Sequence, residues 1–198
     1  MRVMFVCSVA AALTLAAVAE AAPPQLKGQY AFTGTAGCLV NNDGFDPVTF
    51  QPINDRVISR TFAVEGIRTF DGKGGGTVEA TEVGITPPTP QGPTSPPPPP
   101  PSADSARFSF AFTYEVNDDG TWNSHLVPGS FQGVFLQGPR TGQTFTVDKI
   151  ELTGLLTNTN KVLTAASTSV VQETVVFSNG DVRKRVCHRA RTLSWIGE

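Results

Sequence analysis

The chain predicts an all-β domain, and three observations carry that prediction. Past the first 21 residues, no stretch places apolar residues at i, i+3, i+4 and i+7 over three turns; apolar and polar residues alternate instead. The 16 prolines and 19 glycines, with abundant Thr and Val, favour strands and turns over helices. Turn-forming pairs such as Asp71-Gly72, Asp119-Gly120 and Asn179-Gly180 punctuate the alternating segments at short intervals.

The chain opens with the pattern of an export leader over residues 1–21. Arg2 supplies the positive start, residues 3–18 form an apolar stretch broken only by Ser8 and Thr14, and Ala19-Glu20-Ala21 matches the small-x-small cleavage pattern. A periplasmic or extracellular location follows as the expectation. Loss of Cys7 with the leader leaves Cys38 and Cys187, and in an oxidising compartment such a pair is expected to be bridged. The bridge would close a loop worth up to about 5 kcal/mol in the chain-entropy model.

Residues 22–198 then read as one domain. Strands are expected over 29–38, 57–70, 77–85, 107–116, 121–127, 130–137, 144–156, 161–177 and 182–195. Eight or nine antiparallel strands with short links describe an up-and-down meander, which hides its edges best by closing into a barrel. A two-sheet sandwich is the alternative. Residues 87–101 interrupt the pattern with ten prolines, six of them consecutive at 96–101. Proline cannot donate to a ladder, so this stretch is expected to be an extended loop, either a tolerated insertion or a docking arm.

Two hairpins assign side chains to faces. At Asp118-Asp119-Gly120, a three-residue loop pairs Val116 with Trp122, Phe112 with Leu126 and Thr113 with His125. That register separates one apolar face from one polar face, which a two-residue turn would not, and it leaves His125 towards solvent. At Asn179-Gly180 a two-residue turn is expected. It pairs Phe177 with Val182, Val175 with Lys184, Glu173 with Val186 and Val171 with His188. The inner face then carries Val171, Val175, Phe177, Val182, Val186 and Ala190, and Arg183, Arg185, Arg189 and Arg191 form an outward row. Glu173 becomes the one inward charge on its strand, diagonal to Lys184 and His188. Such a trio could hold a polar ligand group or exchange protons, or it could be a self-satisfied ion pair. Ala165, Ser167 and Ser169 would leave room beside it.

Other chemistry is excluded. A net charge of −2 argues against binding nucleic acid through phosphate neutralisation. Gly72-Lys73-Gly74-Gly75-Gly76 lacks the rest of a P-loop, no Gly-x-Ser-x-Gly elbow is present, and neither metal nor cofactor has a motif. Outer-membrane barrels also alternate, but they carry apolar outer faces with aromatic girdles. With only two tyrosines, an end at Ile196-Gly197-Glu198 and arginines assigned outwards, no membrane insertion is expected.

Phe70-Asp71-Gly72-Lys73-Gly74, followed by Tyr114-Glu115-Val116-Asn117 and Asp119-Gly120-Thr121, resembles a pattern of exported bacterial domains without assigned function. The small closed barrel that this implies is similar to lipocalin-like and allene oxide cyclase-like barrels, with Gly28-Gln29-Tyr30 where a lipocalin has Gly-x-Trp. The cyclase-like resemblance implies that an enclosed carboxylate could do chemistry.

The expected function is binding of a small, largely apolar molecule inside the barrel. Phe108, Phe110, Phe112, Tyr114 and Trp122 would form the walls, and Glu173, Lys184 and His188 would meet the polar end. The alternative is an enzyme of cyclase or isomerase type, in which Glu173 shuttles a proton and His188 or Lys184 stabilises charge. A third reading is a surface interaction protein that uses the arginine row or the proline arm.

Overall fold

The structure, a computed structural model, describes residues 25–88, 101–157 and 159–198. The leader over 1–21 lies outside the described residues, as do residues 89–100 of the proline-rich stretch. The described residues form eleven strands: β1 (Lys27–Asn41), β2 (Ile58–Asp71), β3 (Gly75–Thr86), β4 (Ser102–Val116), β5 (Thr121–Leu126), β6 (Gln132–Gln137), β7 (Thr144–Val147), β8 (Glu151–Leu156), β9 (Val162–Ala166), β10 (Gln172–Phe177) and β11 (Val182–Gly197).

Their pairing reduces to eight antiparallel rows closed into a ring. β1 to β4 follow in order, and β5 and β6 lie end to end along β4, against Phe112–Val116 and Ser105–Ser109 respectively. β8 and β7 continue the next row, β9 and β10 the one after, and both of these pair with β11. β11 closes the ring on β1. The expected up-and-down meander is present, and all pairs are antiparallel.

Three of the rows are broken at mid-height, at residues 127–131, 148–150 and 167–171. Side chains replace the missing ladder bonds there. Ser130 Oγ donates to the Ala111 carbonyl and accepts from the Ala111 amide, both at 3.1 Å, and Asp148 Oδ1 accepts from the Thr174 amide at 2.6 Å. Satisfying these backbone groups with side chains lets the wall change course at the breaks.

The β4–β5 hairpin has the expected register, with Val116 opposite Trp122 and Phe112 opposite Leu126. The β10–β11 hairpin does not. Its loop has three residues: the Phe177 amide donates to the Asp181 carbonyl at 2.9 Å, and Gly180 takes a left-handed φ of 89°. Glu173 therefore stands opposite Arg185 and Thr174 opposite Lys184. A slip of one residue exchanges the two faces of a strand, so Arg183, Arg185, Arg189 and Arg191 point inwards and Lys184, Val186 and His188 outwards.

One end of the barrel is filled. Phe70 makes edge-on contacts with Tyr30, Phe112, Tyr114 and Trp122 at centroid distances of 5.0 to 5.8 Å. The two phenols are satisfied by main-chain carbonyls, Tyr30 donating to Asn160 at 2.7 Å and Tyr114 to Leu26 at 2.6 Å. At the other end Cys38 and Cys187, directly opposite in the β1–β11 ladder, are joined by a disulfide beside Phe62 and Val40.

Candidate functional site

The interior changes character above the aromatic plug. At the level of the three breaks lies a cavity of about 70 Å³, walled by Phe108, Phe110 and Phe131 on one side and reached by Arg68, Arg189 and Arg191 on the other. The three phenylalanines stack with centroids 5.3 to 6.2 Å apart and ring planes within 17° of parallel. Inward alternation on β4 supplies Phe108 and Phe110, and the break at 127–131 swings Phe131 in beside them.

Of the five aromatics expected to contact a ligand, Phe108 and Phe110 border this cavity. Phe112, Tyr114 and Trp122 do not; they belong to the filled plug, where Trp122 is fully buried.

Glu173 is inside, but not with the partners expected of it. Its carboxylate is gripped by Arg189 through both terminal nitrogens, Nη1 and Nη2, and Arg185 Nε donates to Oε2 at 2.8 Å. Burial alone would raise its pKa; the two guanidiniums outweigh that and hold it below the usual carboxylate range. Lys184 lies on the opposite face, where Nζ donates to Thr174 Oγ1 at 2.8 Å. His188 is exposed, its ring lying over Gly37 of the neighbouring strand. The trio of carboxylate, ammonium and imidazole is therefore not assembled. A carboxylate locked between two cations is a counter-ion, poorly suited to trading protons.

The inner surface carries further charges that the alternation of β2, β3 and β4 brings together. Arg60 and Asp104 form a two-pronged pair at 2.7 and 2.8 Å near the disulfide end, with Arg60 on β2 directly opposite Cys38 of β1. Glu82 projects into the cavity, and burial raises its pKa although Arg185 and Arg60 act in the opposite sense. Arg68, 4% exposed, lies flat over Phe112 with its guanidinium carbon 3.8 Å from the ring centroid. Its Nη2 donates to Ser124 Oγ and its Nε is buried without a partner. Desolvation, then the nearby Arg191, pull its pKa down to about 9, so it remains a cation at neutral pH. Arg191 donates from Nη1 to the carbonyls of Thr35 and Ala190. The inward-facing Gly34 makes room for its side chain, since a β-carbon there would lie 2.8 Å from Arg191 Cδ.

Arg60 thus has Asp104, and Arg185 and Arg189 have Glu173 with Glu82 nearby. Among the described residues, no carboxylate lies within 4 Å of Arg68 or Arg191. Sequence reasoning passed over Arg68 and assigned Arg191 to an outward row. Arg68 sits two residues from Phe70 and two places on from the inward Gly66, so an inward assignment for Phe70 on β2 would have found it. No protein-family model matches the chain, and no curated protein matches it.

Proposed function

We propose that the protein is an exported barrel that holds a small, largely apolar molecule in the cavity at mid-height. The observation that carries this reading is the position of that cavity: it opens where the close-packed plug ends, against three parallel phenylalanine rings, in a wall already interrupted at three places. At about 70 Å³ it suits a compact ligand, well below the roughly 300–1,000 Å³ of drug-sized pockets. Export is supported by the leader pattern and by the Cys38–Cys187 bridge, which belongs to oxidising compartments. No described helix is long and apolar enough to cross a membrane. The exposed outer positions Thr33, Thr35, Glu65, Glu79, Arg107 and Glu115 supply the polar outer face that a lipid-embedded barrel lacks. The lipocalin-like resemblance enters as architecture only, a closed barrel with an interior site.

The test is an NMR titration of the mature protein with toluene, with Val64→Phe and Val78→Phe as variants that fill the cavity. Saturable shifts confined to cavity residues and lost in either variant support the reading. Absence of such shifts in the native protein overturns it.

A further inference from the structure

We infer that the polar group recognised in this cavity is a carboxylate, bound between Arg68 and Arg191, so that the ligand is a small aromatic or aliphatic monocarboxylic acid. The inference rests on the interior-binding reading and adds its chemistry.

Charge is the first support. The remaining inward cations around the cavity each face a carboxylate, since Arg185 and Arg189 grip Glu173; Glu82 acts on Arg185, Arg189 and Arg191 through space but lies beyond ion-pair distance of all three. Arg68 and Arg191 have hydroxyl and carbonyl partners only. Burying the Arg68 guanidinium without a counter-charge is costly, and the nearby Arg191 adds repulsion. An anion between them removes both costs at once.

Geometry is the second. Arg68 is more than nine-tenths buried, borders the cavity, and has an unpartnered Nε. A guanidinium edge with a free N–H is the shape that takes a carboxylate oxygen. Its flat face is fixed by the rings of Phe112, Phe70 and Trp122, with centroids at 3.8, 5.4 and 5.1 Å, so the fork is held in place before a ligand arrives. The third support is the rest of the wall. The stacked phenylalanines would take the apolar body of such an acid, a contact that an inorganic anion such as phosphate cannot make.

The experiment compares benzoate with benzamide, which has nearly the same shape and no charge, by calorimetric or NMR titration at neutral pH. The native protein is expected to bind benzoate at least about tenfold more tightly than benzamide. Arg68→Met and Arg191→Met should each bring the ratio of the two affinities close to one. Folding of each variant is checked by its amide spectrum, and Arg191→Met, at the less buried site, carries the test if Arg68→Met does not fold. Equal affinity for the two probes, or a preference that survives in Arg191→Met, overturns the carboxylate and leaves the interior-binding reading standing. If toluene binds and benzoate does not, the carboxylate is again overturned alone. If neither toluene nor benzoate binds, both fall.

Discussion

Glu173 on β10 and Arg189 on β11 meet inside the barrel in a two-pronged ion pair, Arg189 Nη2 lying 2.8 Å from Oε2 and Nη1 on Oε1. The two residues are not opposite in the ladder; Glu173 faces Arg185, and Arg189 reaches back four positions to join them. This buried cluster ties β10 to β11 just where β9 gives way to β10. Removing the carboxylate while keeping its shape strands two guanidiniums. Glu173→Gln should therefore lower stability by about 3–5 kcal/mol, as breaking buried pairs does. Adding Arg189→Met should restore part of that loss. Urea unfolding of both variants measures it, and a loss under about 1 kcal/mol in Glu173→Gln would contradict the structural role given to the pair.

The same pair sets an acid dependence. The folded protein holds Glu173 below the usual carboxylate range, so it binds the Glu173 proton less readily than the unfolded chain does. Its contribution to stability is fully present above the unfolded value of roughly 4.3 and is lost as pH falls through the lower folded value. Urea midpoints followed from neutral pH downwards should decline in that window for the native protein. The decline should be shallower for Glu173→Gln, whose side chain does not titrate.

Cys38 and Cys187 are separated by 149 residues yet sit on neighbouring strands, so their bridge closes the whole meander into its ring. Reduction, or the double change Cys38→Ala and Cys187→Ala, should cost about 2–5 kcal/mol, the range for native disulfides. Thermal unfolding with and without reductant checks this, and identical midpoints would sink it.

The disulfide also explains how far the sequence could be read. Eight rows, the meander and the three-residue β4–β5 loop were legible because Phe112, Tyr114, Val116, Trp122 and Leu126 leave only one register with an apolar face. Around Asn179-Gly180 the pattern misleads. Val182, Val186 and Ala190 look like the inner face, although Val182 is 45% exposed. Cys187, however, shares its face with Arg183, Arg185, Arg189 and Arg191, and its partner Cys38 alternates in phase with the inward Tyr30. Taken with that pairing, the arginines had to be inside. Local turn chemistry favoured two residues where three are used, and the interior position of the arginines depends on Glu173, Glu82 and the phenyl faces, which come from other rows. The inward side of Arg68 could be read from Phe70 on β2, but not its surroundings, since Ser124, Phe112 and Trp122 lie on β4 and β5.

The packing of the aromatic plug gives a last prediction with a spectroscopic readout. Gly154 on β8 faces Trp122 on β5. A β-carbon at 154 would lie 2.0 Å from the Thr164 carbonyl oxygen and 2.3 Å from Trp122 Nε1, so alanine cannot be accepted without moving the indole or a strand. Overpacking of this kind costs about 1–3 kcal/mol. The chain has two tryptophans, and they differ sharply: Trp122 is fully buried, whereas Trp195 is 40% exposed. Native fluorescence should therefore contain a blue, quencher-resistant component from Trp122 and a red, acrylamide-sensitive one from Trp195. Trp195→Phe isolates the first. In that background Gly154→Ala should shift the emission to the red and raise its quenching, because Trp122 is displaced from the plug formed with Phe70 and Phe112. Emission and quenching unchanged by Gly154→Ala would mean that the indole holds its place and β8 yields instead, which would contradict the expected displacement of Trp122.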